Sequence, residues 1–512
     1  MRSVRFLAYL ACCAALIPAA SAQDEVDVLQ IDLQTAIRMA LEKNFRIQAG
    51  TFGPRIAKAR QKAASGAFDP TLELSYTYDE NNQELRTLNA NLDTPTALPG
   101  DPTPQIFARR QGNVADSAIG GLMPWGLTYD IGASVSWDDS NQREPDFTRY
   151  ESFFGVGVTQ PLLRNFGTDV NLADIRIARA DRAISGWELR GEVIDVVTET
   201  IRIYSELCFS IENLAVEIRS RDLAAQLVVD NSKRADIGVI PPLDVLQART
   251  DLANREERVL VAERAVADNE NFLKRLITDE IAGLLGMRIA PEAPRLPDFG
   301  EVDRERDYAA AFDLRPDYRQ ALLDIQKREI NVVFTRNQAL PRLDLVGSFG
   351  INGIDKDFAS SFNRVVGGGN NNLAWNVGAV FSVPIPNRTA SGNLEANKLE
   401  VARALVALKT LEQTILVEAD NAAGQIDTTR KRIEASRLAR EFAATTLEAA
   451  QTRLASGTTT TFEVLQFQRD LATAEANELR ARADHIIAIA EYARATGSTL
   501  ERNRIFIDEQ SR

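Results

Sequence analysis

Apolar residues recur at seven-residue steps over long reaches of this chain. Val245, Leu252, Val259, Val266 and Leu273 form one row, and Leu465, Ala472, Leu479, Ile486 and Ala493 form another. Five successive apolar heptad positions predict long helices packed in the manner of a coiled coil, not an ordinary amphipathic surface helix. Val197, Tyr204, Ile211, Ile218 and Ala225 continue the pattern upstream of the first row. Val401, Leu408, Ile415 and Ala422 do the same upstream of the second. Elsewhere the period changes to two. Leu72, Leu74, Tyr76 and Tyr78 alternate with Thr71, Glu73, Ser75 and Thr77, and Leu343, Leu345, Gly347 and Phe349 behave likewise after Pro341. Phe154, Val156 and Val158 alternate with Gly155, Gly157 and Thr159. Trp375, Val377, Ala379, Phe381 and Val383 make the fourth such set. Period two with aromatics on one side predicts strands.

The patterns are duplicated. Arg234–Ala253 returns as Arg453–Ala472 at a constant offset of 219 positions: Gly238 becomes Gly457, Asp244 becomes Glu463, and Val245-Leu246-Gln247 becomes Val464-Leu465-Gln466. Each copy predicts a long helix ending at glycine, a short polar turn and a second long helix. Glycine tolerates the left-handed conformation that closes a helix, and neither Pro241-Pro242 nor Thr458–Thr461 readily continues one. Each half also opens with a helical pattern, Ile31–Lys62 or Arg306–Asn337, then a proline and a strand. Its second strand ends at Pro161 or Pro384 and leads into more than fifty helical residues. The expected organisation is a first repeat over 23–290 with its tip near 238, a connector over 291–302 marked by Pro291, Pro294 and Pro297, a second repeat over 303–497 with its tip near 457, and a tail over 498–512.

Residues 1–22 read as a secretory signal: Arg2 and Arg5, an apolar Phe6–Ile17 and the small-residue site Ala20-Ser21-Ala22. Lipidation at Cys12 or Cys13 is disfavoured, because Tyr9 stands where a leucine is wanted and Cys12 precedes Cys13 in place of a small residue. Cys208 alone remains after cleavage, so no intrachain disulfide is expected, and it reads as a small apolar helix residue. Losing the two signal arginines takes the formal charge from −13 to −15, which argues against a nucleic-acid partner. No later stretch has the ~18 successive apolar residues of a spanning helix, so any membrane crossing falls to strands. Four clear strands cannot close a barrel in lipid, which takes about eight or more. The chain must then oligomerise, and three copies would supply twelve strands. The insert Asn82–Tyr150 has no counterpart in the second half. It holds another alternating segment, Leu127–Trp137, which with Val114–Leu122 reads as an additional hairpin whose place inside or outside the barrel stays open. The glycine-rich Gly367–Asn372 lacks a following Lys-Ser/Thr and reads as a loop, not a phosphate cradle.

At this point the chain resembles the TolC-type outer membrane efflux family. The likeness rests on the signal peptide, Leu33-x-x-Ala36-x-x-x-Ala40-Leu41-x-x-Asn44, Phe312-x-Leu314-Arg315-Pro316-Asp317, the strand exit Gln160-Pro161-Leu162-Leu163 and both Gly-turn-Asp/Glu-Val-Leu-Gln tips. The resemblance implies a mainly α fold with β: long antiparallel coiled-coil helices forming an α-barrel tunnel, plus a trimeric transmembrane β-barrel, with an internal two-fold repeat. It implies a homotrimer in outer-membrane lipid with a long periplasmic extension, partnered by a periplasmic adaptor (membrane fusion) protein and an inner-membrane transporter. The expected function is a passive exit duct for drugs, toxic small molecules or secreted protein, with no cofactor.

By the same resemblance the helical tips gate the tunnel. An acidic ring falls on Glu463 and Gln466, a first-repeat tip aspartate on Asp244, and the polar latch on Leu454 and Thr459. The adaptor-docking tips fall on Gly238, Val239, Gly457 and Thr458. Position by itself offers a plainer role for Asp244 and Glu463, as carboxylates favoured in a first helical turn by ~0.3–1 kcal/mol. His485, the sole histidine, reads as interhelical packing, since one histidine without neighbours makes no metal site. Arg430-Lys431-Arg432 reads as a solvated face. No Gly-x-Ser-x-Gly, Cys/His cluster or Ser-His-Asp set is present, so neither catalytic nor metal residues are assigned. The alternative from another class is a periplasmic coiled-coil adaptor or structural protein without a pore.

Overall fold

Both repeats break their opening helix at the same point. In the computed structural model of the chain, Asn44 interrupts the first and Arg315 the second, so each predicted helical segment is two helices. The structure describes residues 28–85, 106–140, 147–238, 240–294, 302–367 and 372–506. The signal peptide with Cys12 and Cys13, Val239, Pro297 and most of the glycine-rich loop lie outside them. In order come β1 (Val28–Ile31), α1 (Leu33–Lys43), α2 (Phe45–Ser65), β2 (Thr71–Leu85), β3 (Ile106–Leu122), β4 (Thr128–Ser140) and β5 (Phe147–Pro161). Then follow α3 (Thr168–Asn171), α4 (Ala173–Asp236), α5 (Pro242–Ile277), α6 (Ile281–Leu284), β6 (Arg288–Pro291), α7 (Arg304–Leu314) and α8 (Pro316–Gln338). The chain continues through β7 (Arg342–Asp355), α9 (Phe358–Val366), β8 (Leu373–Ser382), α10 (Arg388–Ala455), α11 (Thr461–Ala495) and α12 (Thr499–Arg502). The opening helices part because Pro316 takes the first position of α8, where its missing N–H costs nothing, while Asn44 turns its side-chain amide to the Leu276 carbonyl at 3.1 Å.

Two compact units result, and each draws on both sequence repeats. One comprises Met1–Phe45, Val196–Gly300 and Gln425–Glu491; the other comprises Arg46–Asp195, Glu301–Gly424 and Tyr492–Arg512. The first unit is helical, apart from a short parallel pairing of β1 with β6. That pairing was not legible as alternation, being only four residues a side. Tyr204 supports it, its hydroxyl 2.9 Å from the Ile31 carbonyl and 2.7 Å from that of Glu292. The start of the expected connector is thereby fastened at Pro291.

The long helices form as predicted, but each heptad row is buried only in part: Val259, Leu273, Leu465, Ile486, Ala493 and Ile415 are buried, while Val245, Leu252, Leu479 and Leu408 are half-buried. Val197 and Tyr204 are buried, but Ile211, Ile218 and Ala225 are only half-buried. The covered positions drift instead to Cys208, Val216, Ser220, Ala224, Leu227 and Asn231. An α-helix of 3.6 residues per turn slips about 20° per heptad against a strict seven-residue repeat, so a weakly supercoiled helix buries a stripe that walks off the heptad row. Cys208 is buried as expected, and burial pushes its thiol up to about 12.

The second unit holds one antiparallel sheet in the order β2-β3-β4-β5-β7-β8. Among the described residues this sheet therefore has six strands where four were expected. The insert Asn82–Tyr150 supplies the hairpin β3–β4, which lies within the sheet between β2 and β5. Directly opposed residues share a face, so one row can be followed through all six strands: Leu72, Ile119, Ile131, Val156, Phe349, Trp375. The neighbouring row on the other face reads Thr71, Gly120, Asp130, Gly157, Ser348, Asn376. One face is apolar and the other small and polar, which is the alternation expected of a wall between lipid and water. Among the described residues no helix is long and apolar enough to cross a membrane. At the far end of the apolar face α9 lies on β5 and β7. There Ser361 Oγ sits 2.9 Å from Ser152 Oγ, and only glycine fits at 353, where a Cβ would come within 2.0 Å of the Ser361 carbonyl oxygen.

Candidate functional site: the helical tips

The tips form where two long helices must reverse within a few residues. In the second repeat α10 ends in a Schellman closure: the Thr458 N–H donates to Arg453 O at 2.9 Å and the Gly457 N–H to Leu454 O at 3.1 Å. Gly457 has φ +75° and Gly238 has φ +76°, and Gly238 N–H donates to Ala235 O at 2.9 Å. A Cβ at either glycine would meet nothing within 4 Å. The backbone angle, not crowding within the chain, is what demands glycine at both. Thr458 closes its turn through Oγ1, which donates to Arg453 O at 3.1 Å.

Glu463 stands in the first turn of α11, half-buried, and accepts a hydrogen bond from Thr459 Oγ1. Gln466, three residues on, is exposed, and Val464 and Leu465 between them are buried. Asp244 occupies the matching first turn of α5, behind Pro242 at the helix start, with its N–H donating to Pro241 O at 3.1 Å. Its carboxylate makes no hydrogen bond or ion pair among the described residues, and none joins it to Glu463 within the chain. Both carboxylates thus keep the favourable first-turn location, and Glu463 gains a local partner. The two positions aligned with the polar latch differ. Thr459 is engaged with Glu463, whereas Leu454 packs with Leu447, Ala450 and Val464, beside Phe467 and Leu471. Leucine there is part of a small tip core.

Further from the turn lies a cluster that the sequence reading missed. Arg255, fully buried, binds Asp251 through Nε at 2.7 Å and Ser220 through Nη1, at 2.9 Å to the carbonyl and 2.8 Å to Oγ. Among the described residues its Nη2 has no hydrogen-bond partner, and burial lowers its pKa against the opposing pull of Asp251. Arg469 of α11 approaches Asp251 at 4.0 Å. The signal was available: Ala248, Asp251, Arg255, Val259 and Ala262 carry the three-and-four spacing of one helix face, with a charge pair at its centre.

The family-like motif Phe312–Asp317 lies elsewhere, in the second unit, and its chemistry is structural. Arg315 makes two bonds to Asp317, at 3.1 and 2.7 Å, and one each to Glu418 at 2.8 Å and the Ala495 carbonyl at 3.0 Å. Gly497 has φ +72° and lies so close that a Cβ would meet the Arg315 nitrogen at 2.9 Å. A bidentate arginine–carboxylate pair of this kind clamps the break between α7 and α8. His485 packs between helices as expected, its Nδ1 2.9 Å from Thr429 Oγ1. Arg430 and Arg432 are exposed and paired with Asp427 and Asp484.

Comparison with known proteins follows the same lines. Residues 308–498 match the family model described as outer membrane efflux protein. None of the curated proteins compared matches the sequence. Among solved structures, the chain is similar to the Campylobacter jejuni CmeC outer membrane channel, with a TM-score of 0.65 at 16% identity over 91% of this chain and 86% of that one. It is similar to the Vibrio cholerae outer membrane protein VceC, TM-score 0.63 at 15% identity, over 91% and 96%. A third likeness is to the open state of the Neisseria gonorrhoeae MtrE outer membrane channel, TM-score 0.60 at 15% identity, over 91% and 89%. These structural likenesses establish the fold. Residues 308–498 thus carry a match to the outer membrane efflux protein family, and the chain has the fold of the outer membrane channels it is similar to.

Proposed function

We propose that the protein is the outer-membrane exit duct of a tripartite export system, a passive channel and not an enzyme. The observation that carries this reading is the six-stranded sheet: apolar on one face, polar on the other, and open at both edges. Unpaired strand edges are not sustained in lipid, so further copies of the chain must complete the wall. A homotrimer is the assembly proposed, in the outer membrane, with the long helical hairpins on the periplasmic side. The exposed apolar residues of the tips, Ile237, Leu243 and Leu246 in one repeat and Phe462 in the other, support a surface for other copies and for a periplasmic adaptor working with an inner-membrane transporter. Gly238, Gly457 and Thr458 supply the narrow turns on that surface, and Glu463 with Asp244 the charge at the gate.

A periplasmic adaptor without a pore shares long helical hairpins but has no use for an amphipathic sheet of this kind. Membrane fractionation and cross-linking separate the two readings. The duct is expected in the outer membrane as a heat-modifiable trimer whose loss stops export. A soluble or inner-membrane protein without a heat-labile barrel would overturn it.

A further inference from the structure

We infer that the hairpin β3–β4 is part of the barrel wall, so that the trimer proposed above closes with eighteen strands, six from each copy, instead of twelve. The pairing is as extensive through the hairpin as beyond it. β2 pairs with β3 from Thr71↔Gly120 to Leu85↔Ile106, and β4 with β5 from Thr128↔Thr159 to Ser140↔Phe147. The alternation continues strictly through β4 and loosely through β3, where Ser117 falls on the apolar face and Val114 on the polar one. Ile119 and Ile131 sit in the apolar row, while Asp116, Asp130 and Ser134 fall on the polar face. A shift of one residue would have reversed every one of these.

The hairpin is also tied down at its turn. Met123 N–H donates to Leu127 O at 2.7 Å, and Gly167 N–H to Trp125 O at 3.1 Å. Gly126, at φ +100°, lies so near the segment after β5 that a Cβ would be 2.3 Å from the Asn165 carbonyl oxygen. Were the hairpin swung off the wall, β2 and β5 would each lose the strand partner that β3 or β4 gives them here. Within the sheet, an even count leaves the outer strands β2 and β8 antiparallel. Copies repeated head to tail therefore make an antiparallel ring with no edge left.

Barrel diameter grows roughly linearly with strand number, and sixteen to eighteen strands leave an aqueous channel. An eighteen-stranded ring is thus about 1.5-fold wider than one of twelve. A barrel of that width would not be the element that limits cargo size. On its polar face the hairpin places Asp116 and Asp130 beside Glu73, toward the end of the sheet where β2 follows α2 and β5 leads to α3.

The inference rests on the trimer reading, and the test separates the two. Electron cryomicroscopy of the assembled protein in lipid nanodiscs is expected to show three copies and eighteen strands. A trimer of twelve strands overturns the inference through the hairpin; a ring of another copy number overturns it through the trimer. Labelling gives an independent readout, because Cys208 is buried and offers little background. In vesicles an aqueous, membrane-impermeant maleimide should modify Ser134→Cys and spare Ile131→Cys. Equal labelling of both, or labelling of Ile131→Cys alone, overturns the wall placement.

Discussion

Arg255 reaches back one helical turn to Asp251, Nε to Oδ2 at 2.7 Å, and the guanidinium is wholly out of water. At the repeat offset of 219 its counterpart is Ala474, and Ser220 becomes Ala439. Asp251 keeps its charge as Asp470. The space that Arg255 fills in one hairpin is, in the other, part of an open groove of about 540 Å³ lined by Ala439, Asp470 and Ala474. The duplicated tips are therefore not equivalent at this position, where the first carries an ion pair whose arginine is fully buried.

Arg255→Ala strands the Asp251 carboxylate and is expected to cost about 3–5 kcal/mol, while the double change Arg255→Met with Asp251→Leu is nearly neutral. Arg264–Asp268 has the same spacing but is exposed, and Arg264→Ala should cost under ~0.5 kcal/mol. Thermal unfolding of the detergent-extracted protein compares the three. Equal losses for Arg255→Ala and Arg264→Ala would contradict the burial argument.

At the tips, Gly457→Ala is expected to cost about 1–2 kcal/mol from the positive φ alone, since no atom crowds the added methyl. Gly457→Asn should cost less. The effect should be local, with faster amide exchange over Ser456–Glu463 and assembly unchanged. Gly457→Trp is expected to assemble and insert but to lose export, because the bulk would occupy the surface proposed for the adaptor. Normal export by that variant would remove the docking role.

Glu463 offers a charge at the gate if symmetry gathers its copies around an axis. Carboxylates ~8 Å apart repel by about 2 kcal/mol at an effective dielectric near ~20, so a cation among them is favoured. Cation-selective conductance, blocked by polyvalent cations from the periplasmic side, is the expected behaviour in planar bilayers. Glu463→Gln should weaken the block several-fold, and Gln466→Ala should leave it unchanged. Retention of full block in Glu463→Gln would reduce Glu463 to a carboxylate held by Thr459 at a helix start.

His485 makes stability depend on pH. Burial lowers its pKa, with Arg430 adding to the shift, so the unfolded chain binds the proton more readily than the folded one. The contribution of neutral His485 is complete above about pH 6.5, the ordinary value, and is lost as pH falls from there toward the depressed folded value. His485→Gln should flatten that part of the profile while leaving the stability above pH 7 within ~1 kcal/mol of the native protein. Thermal scans between pH 5 and pH 8 would check it.

The tips were legible because their signals are local. Gly238 and Gly457 announce helix ends by backbone conformation, and a row such as Val464 and Leu471 announces its buried side by spacing. The strands β2, β5, β7 and β8 were legible for the same reason, since alternation is written in adjacent residues.

What escaped depended on partners far apart in sequence. Two unlike segments, Val28–Ile31 and Arg288–Pro291, form a parallel pair that neither shows alone. Arg255 could be placed on a helix face by its spacing, but only packing against Ser220 removes its charge from water. The clearest case is Leu127–Trp137. Its alternation determined that it is a strand with an apolar side, yet strand pairing is made by backbone groups common to every residue. Which edges those groups join is therefore decided by the assembled sheet, and here they set the hairpin between β2 and β5.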